Sequence, residues 1–324
     1  MTIDPTVEAE PIDSLERKRS LEAAIRTRRE AVLVVNSRSR RGRQLYRRAK
    51  RLLRERGIAL ALTYPVRNPA RVPEIVRDAI GKGYQFIIIG GGDGTISSVV
   101  DFFAYRSVVL GILPAGTANS YARALGIPLA LDEAVEVVVS GKVVDVNLGK
   151  INGNHHFANA AAIGLPASIA RHMPRLLKRW FGRVGYLLVA AVRLVRQRPF
   201  RCTLTASGRT IEFDAMEVRV ANGQYQGGVR VANEASLESR DLVIQSIKGG
   251  SRWSIVRFWT MAMLGYPPSI DDVLVVKAPD VTLDTAPRQY VSIDGEPVTQ
   301  TPIRATVARN ALMVVAPRER TDLV

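Results

Sequence analysis

The apolar run Gln85 to Ile89 (QFIII) leads straight into Gly90-Gly91-Gly92-Asp93-Gly94-Thr95. This junction limits the fold more than any other part of the chain. A short β-branched run bounded by glycine reads as a strand buried on both faces, as in a parallel sheet covered by helices. Glycines at its end let the backbone pass close to a ligand and adopt positive φ. Their N–H groups, with the start of a helix expected over Ile96 to Phe103, form a site suited to phosphate. An acid inside such a cradle repels phosphate unless a cation intervenes, so Asp93 implies Mg²⁺. The bland alternative is a tight turn with a capping Asp. The loop lacks the terminal Gly-Lys-Ser/Thr of a Walker A loop and the G-x-G-x-x-G spacing of a dinucleotide fingerprint.

The same logic recurs on either side. Ala31 to Val35 reads as a strand ending in Asn36-Ser37-Arg38-Ser39-Arg40-Arg41-Gly42. A basic helix over Gln44 to Arg56 follows, with Leu45, Ala49, Leu52 and Leu53 on one face. Ala59 to Thr63 forms a second strand, and Pro73 to Ile80 a helix stopped by Gly81 and Gly83. Val108 to Ile112 runs into Leu113-Pro114-Ala115-Gly116-Thr117-Ala118-Asn119, with a helix from about Ser120. The alternation predicts an α/β N-terminal domain, a parallel sheet with flanking helices and ligands at the carboxyl ends of the strands.

After Asp145 the pattern changes to short β-type segments: Val143 to Leu148, His156 to Ala160, Cys202 to Ala206, Met216 to Ala221, Leu242 to Ile247, Val273 to Lys277, Val281 to Asp284 and Gln289 to Ile293. Their spacing predicts a β-rich C-terminal domain, an antiparallel sandwich or barrel. Pro174 to Arg198 and Trp253 to Leu264 read as helical. The expected division is a flexible segment at 1–28, the α/β domain at 29–145 joined by the tail 306–324, and the β-rich domain at 146–305. A length of 324 residues suits two domains.

Charge narrows the partners. There are 46 Lys plus Arg against 30 Asp plus Glu, a formal net charge of +16, which favours anionic partners. No recognised nucleic-acid motif accompanies it, so nucleic acid is not an expected partner. Cys202 is the single cysteine and there are three histidines, which excludes an internal disulfide and a cysteine zinc site and fits a cytoplasmic location. The most apolar stretch, Tyr186 to Val195, is short and contains Arg193, so membrane contact is expected to be peripheral. Arg175 to Phe200 and Arg252 to Tyr266 mix Arg with aromatic and aliphatic residues, a composition that suits either a membrane interface or a helix packed on a sheet. Monomer and homodimer both stay open.

Several motifs in order carry a family resemblance. Asn36-Ser37-Arg38-Ser39, Gly91-Gly92-Asp93-Gly94-Thr95, Leu113 to Pro128 (LPAGTANSYARALGIP), the trio Phe157, Asn159 and Gly164, Asn222-Gly223 with Gly227-Gly228, and Asp294-Gly295-Glu296 together resemble the diacylglycerol kinase-like lipid kinases. The resemblance runs from Val32 nearly to the C-terminus. It implies an ATP- and Mg²⁺-dependent kinase that phosphorylates a lipid hydroxyl at an anionic membrane surface. Asn36, Ser37, Ser39, Thr63, Gly91, Gly92, Asp93, Gly94, Thr95, Gly116, Thr117, Asn119, Asp294 and Gly295 would bind the nucleotide. Asp93 would help organise Mg²⁺, and Glu296 would be the general base. Without the resemblance, Asp294-Gly295 is a hairpin turn and Glu296 a solvated acid.

The chain departs from the family pattern at three places. Ser120 stands where Asp is usual. Asn147 stands where an acid of the Mg²⁺ network is usual, with Asp145 as a substitute ligand. Ser239-Arg240 replaces an Asp-Gly in a structural metal segment, which implies that this metal is absent or altered. Two other readings are open: a small-molecule kinase of the NAD kinase type, which shares the Gly-Gly-Asp-Gly loop, and a non-catalytic module that binds nucleotide or anionic lipid.

Overall fold

The computed structural model describes residues 14–172, 182–248, 252–266 and 273–320. The first part alternates as expected: α1 (Ser14–Arg28), β1 (Glu30–Asn36), α2 (Arg40–Glu55), β2 (Ala59–Val66), α3 (Val72–Gly81), β3 (Phe86–Gly91), the short helices α4 (Asp93–Ser97) and α5 (Val100–Phe103), β4 (Val109–Pro114), α6 (Ser120–Ala124) and α7 (Leu131–Ser140). Strands β2, β1, β3 and β4 lie side by side in that order, all parallel. Their apolar residues are buried on both faces: Val32 to Val35, Ile87 to Ile89 and Leu110 are fully enclosed. Helix α2 begins at Arg40, earlier than expected, because Ser39 caps it by accepting a hydrogen bond from the Gly42 N–H at 3.0 Å. It buries Ala49 and Leu53 and leaves Arg40, Arg43 and Arg47 in solvent.

Two expectations change here. The helix expected over Ile96 to Phe103 is two short ones, α4 and α5, broken at Ser98–Val99. The segment 1–28, expected to be flexible, contains helix α1. Leu21 of α1 is buried, Lys18 lies 3.8 Å from Asp145, and the Arg17 guanidinium donates to Ser107 Oγ and the Tyr105 carbonyl. Residues 1–13 lie outside the described residues. Helix α7 follows a short amphipathic run that the sequence reading did not single out; it buries Ala134, Val135 and Val138.

The second part is antiparallel. Its elements are β5 (Lys142–Ile151), β6 (His155–Phe157), β7 (Ala160–Gly164), α8 (Leu165–His172), α9 (Gly182–Arg196), β8 (Phe200–Ala206), β9 (Arg209–Ala221), β10 (Tyr225–Gln226), β11 (Val229–Arg230), β12 (Leu242–Lys248), α10 (Arg252–Met263), β13 (Val273–Ala278), β14 (Asp280–Ala286), β15 (Tyr290–Ile293), β16 (Glu296–Gln300) and β17 (Ile303–Ala316). The segment read as one strand over His156 to Ala160 is two, β6 and β7, with Ala158 and Asn159 between them. Part of the helical stretch expected over Pro174 to Arg198 lies outside the described residues; Gly182–Arg196 is helical. The inward faces of β7, β8, β9, β12, β14, β15 and β17 bury Ile163, Cys202, Leu204, Val218, Ile244, Leu283 and Val291 in a second core. Burial pushes the Cys202 thiol up to about 12, so it stays an uncharged core residue.

Strand β17 joins the two parts. Its first residues pair antiparallel with β14, most of its length pairs with β5, and Met313–Val314 pair parallel with β4. Strand β5 itself crosses the expected boundary at residue 145. No linker therefore separates the parallel from the antiparallel region; one continuous sheet passes through both.

Candidate active site

Parallel pairing aligns the strand ends. Gly91 stands opposite Pro114 and Val35 opposite Gly90, so the loops after β1, β3 and β4 leave the sheet at one edge. Asn36 Nδ2 donates to Thr95 Oγ1 at 3.2 Å, which ties the first loop to the second. Gly92 and Gly116 bring the second to the third. A Cβ on Gly116 would lie 2.5 Å from the Gly92 Cα, and one on Gly92 2.8 Å from the Gly116 Cα. Both positions need glycine because two backbones touch there. None of Gly90, Gly91, Gly92 or Gly94 has positive φ, so the expected left-handed conformation is corrected: close approach, not handedness, demands Gly90, Gly91 and Gly92, while a Cβ on Gly94 would meet open space. The left-handed residue is Asn119, φ 50°. Its side chain accepts from the Gly116 N–H at 2.8 Å and donates to the Gly116 carbonyl at 3.0 Å, closing the third loop on itself. Thr117 is exposed at the tip of that loop.

Asp93 opens α4, and its Oδ1 accepts from the Tyr121 N–H at 3.1 Å. The acid thus ties the glycine loop to the start of α6. Its other oxygen makes no hydrogen bond among the described residues. Ser120 Oγ accepts from the Gly228 N–H at 3.0 Å, so the residue at the first departure is a bridge to the antiparallel region.

Three expected nucleotide residues have more local work. Ser37 is buried, with its N–H on the Val66 carbonyl. Ser39 is the α2 cap. Thr63 is not at the end of its strand: β2 continues to Val66, which sets Thr63 back about 10 Å, and Tyr46 donates to its hydroxyl at 3.0 Å. Asp145 is not brought to the site at all. It pairs with Met313, which pairs with Val109 at the start of β4, so it lies at the opposite end of the sheet from Pro114. There it faces Lys18; burial raises its carboxyl, and Lys18 and Arg17 pull it back. Its expected metal role is therefore withdrawn. At the second departure, Asn147 donates to the Ser239 carbonyl at 2.9 Å and accepts from the Asn310 N–H at 2.8 Å. At the third, Ser239 Oγ accepts from the Asp241 N–H at 3.1 Å. Protein hydrogen bonds hold that turn together.

The late hairpin brings an acid of the antiparallel region near these loops. Asp294 (φ 46°) and Gly295 (φ 88°) form the two-residue turn between β15 and β16, with Ile293 paired to Glu296; both positive φ values are what a type I′ turn requires. The Asp294 carboxylate accepts from the N–H groups of Ala158, Asn159 and Ala160 at 2.9, 3.0 and 3.0 Å. Burial raises this carboxyl above the usual carboxylate range, the three N–H groups oppose that, and the charge of Asp93 adds to it. The two acids therefore feel each other across the crevice. Asp294 anchors the hairpin, and Glu296, exposed, follows directly on it. Asp294→Ala should leave three N–H groups without an acceptor and cost about 3 kcal/mol. Urea unfolding checks this; a midpoint equal to wild type would show that the anchor is unimportant.

Tyr121 and Asn222, both inside motifs that carry the resemblance, also shape the site. Tyr121 carries the N–H that holds Asp93, and its buried hydroxyl has no partner among the described residues. Burial, with the charge of Asp294 adding, pushes that hydroxyl up. Asn222 donates to the carbonyls of Asn147 and Ala158, which steadies the strip that holds Asp294. Asn159 Oδ1 is likewise buried without a partner. The Asp93 carboxylate keeps one oxygen without a hydrogen bond among the described residues, the kind of donor a hard cation takes. Among the described residues no three His, Cys, Asp or Glu side chains could hold a metal by themselves. A cation here would rest on Asp93 with phosphate and water oxygens, as Mg²⁺ ordinarily does, so the residues present fit it.

A parallel sheet with three loops meeting at one edge, joined to an antiparallel region that lends an acidic hairpin, is the arrangement the family resemblance implies. Comparison with known proteins agrees. The family model described as "Diacylglycerol kinase catalytic domain" matches residues 30–151, and "YegS C-terminal NAD kinase beta sandwich-like domain" matches residues 159–316. The "Probable lipid kinase YegS-like" of Klebsiella pneumoniae (strain 342) is 30% identical over 287 residues, 87% of this chain and 94% of that protein. The "Probable lipid kinase YegS" of Escherichia fergusonii is 33% identical over 204 residues, 61% of this chain and 67% of that protein. A crystal structure described as a diacylglycerol kinase from Bacillus anthracis str. Sterne shares the fold, with a TM-score of 0.74 at 23% identity over 90% of this chain and 98% of that one. The chain belongs to the diacylglycerol kinase-like lipid kinases, phosphotransferases that act on an alcohol group. Among the described residues no helix is long and apolar enough to cross a membrane.

Proposed function

We propose that this protein transfers the γ-phosphoryl group of ATP to the hydroxyl of a lipid such as diacylglycerol, phosphatidylglycerol or a sphingoid base, with Mg²⁺, at a peripheral site on the cytoplasmic face of a membrane. The observation that carries this reading is the hairpin anchored by Asp294, an acid of the antiparallel region within electrostatic reach of Asp93 in the glycine loop. The close-packed loops at Asn36, Gly91 to Thr95 and Gly116 to Asn119 offer backbone N–H groups for the phosphates. Glu296 takes the proton of the acceptor hydroxyl, the freed oxygen attacks the γ-phosphorus, and the bond to the β-phosphate oxygen breaks as ADP leaves. Bound Mg²⁺ supplies neutralisation of phosphate charge. The net charge of +16 supports attraction to an anionic surface.

The test is transfer of labelled γ-phosphate from ATP to a fractionated lipid extract, with and without Mg²⁺. A labelled lipid that depends on Mg²⁺ is the expected result. Label only in soluble metabolites would move the protein to the small-molecule kinases. Nucleotide binding without transfer would make it a non-catalytic member.

A further inference from the structure

Helix α10 buries apolar residues inward and exposes others outward, interleaved there with Arg257 and Thr260. Inward, Ile255, Phe258 and Ala262 are buried against the sheet. Outward, Trp253 is 77% exposed and Met263 60%, and Leu264 just past the helix end is 65% exposed. A helix on a water-facing surface ordinarily keeps large apolar side chains off its outer stripe, and α10 mixes them there with arginine. The two tryptophans of α10 have different work. Trp259 Nε1 donates to buried Glu217 Oε2 at 3.4 Å, and the Arg219 guanidinium lies 5.2 Å from its ring centroid. Arg219 in turn binds Glu217 and Gln245. This buried polar cluster fixes the orientation of the helix, so its outer residues are held facing out.

The neighbouring helix continues the surface. On α9, Val192 and Val195 are 54% and 66% exposed. Arg252 Nε donates to the Gln197 carbonyl at 3.3 Å, which sets the start of α10 against the end of α9. Arg196, Arg198 and Arg252 are exposed around this junction, and neither helix contains Asp or Glu.

We propose that the outer faces of α9 and α10 are a docking surface for an anionic bilayer, with Trp253, Leu264 and the two valines entering the headgroup boundary. Charge complementarity selects this occupant. Arginines that rim exposed Trp and aliphatic side chains can lay their stems on hydrocarbon and their guanidinium groups on lipid phosphate. Helix α10 spans about 18 Å, long enough to lie along a surface and too short to cross it. The inference rests on the lipid-kinase reading and says which face of the enzyme meets its substrate's membrane.

The experiment is vesicle flotation of the full chain. Wild-type protein should float with equal mixtures of phosphatidylglycerol and phosphatidylcholine and hardly at all with phosphatidylcholine alone. The double variant Trp253→Ser, Leu264→Ser should weaken binding about tenfold. Independently, Arg196→Glu with Arg198→Glu should weaken it by about as much and flatten its salt dependence. Both variants should phosphorylate a short-chain acceptor dissolved in water at the wild-type rate. Wild-type protein that stays off anionic vesicles, or variants that bind like wild type, would overturn the docking surface. So would variants that turn a dimer into monomers by light scattering without changing flotation, since a second copy would then cover the face. Vesicle binding with no transfer to the dissolved acceptor would remove the kinase reading and still support the surface.

Discussion

Changing Glu296 to Gln should lower phosphoryl transfer roughly 10³-fold, the range expected for loss of a general base, while ATP binds as before. The two side chains are nearly the same size, and the anchor of the hairpin, Asp294 on the N–H groups of residues 158–160, is left in place. The substitution therefore removes a proton acceptor without releasing the turn. The loss should fall on kcat, with little change in KM for ATP, because the missing interaction belongs to the transition state. Calorimetric titration of ATP and steady-state kinetics on the same preparation check both halves. Wild-type turnover in the variant would end the assignment of Glu296 as base.

The second large effect is expected at Asp93, where two functions can be separated. Asn at this position can still accept from the Tyr121 N–H but carries no charge; Ala can do neither. Asp93→Asn should keep the wild-type unfolding midpoint and lose about 100-fold or more in Mg²⁺-ATP turnover, as loss of a preorganised charge at a phosphoryl site does. Asp93→Ala should lose as much activity and also about 1 kcal/mol of stability, since the start of α6 gives up its acceptor. Thermal unfolding beside a Mg²⁺ titration of activity separates the two. An Asn variant with normal Mg²⁺ dependence would leave Asp93 a purely structural tie.

The loops were readable because each follows a strand whose residues are apolar without interruption. QFIII and the run before Asn36 announce their ends locally, and parallel pairing puts those ends together without further information. What the glycines are for was not readable. Gly92 and Gly116 are needed because their backbones touch, and contact between two loops leaves no local mark. Asp145 shows the same limit in reverse. It lies close in sequence to the family's usual acid, yet the antiparallel register of β5 on β17 puts it at the wrong end of the sheet. Strand β17 escaped because its pattern alternates at first, breaks at Asn310 (φ 47°) and then runs apolar. Those halves face different surroundings, one against β14 and one against β4 and β5. Tyr121 lies within the Leu113 to Pro128 motif, but its tie to Asp93 runs through its backbone N–H, which no side-chain type announces.

Strand β17 has a consequence for how the protein comes into being. It comes last in sequence among the described strands, yet it flanks β4 and so borders the sheet from which the loops at Asn36, Gly91 and Gly116 depart. During synthesis the N-terminal half emerges first with the β4 edge of its sheet still open. The parallel half is thus complete only once β17 has joined it, and it cannot be cut out as a free-standing unit without losing the strand that seals it.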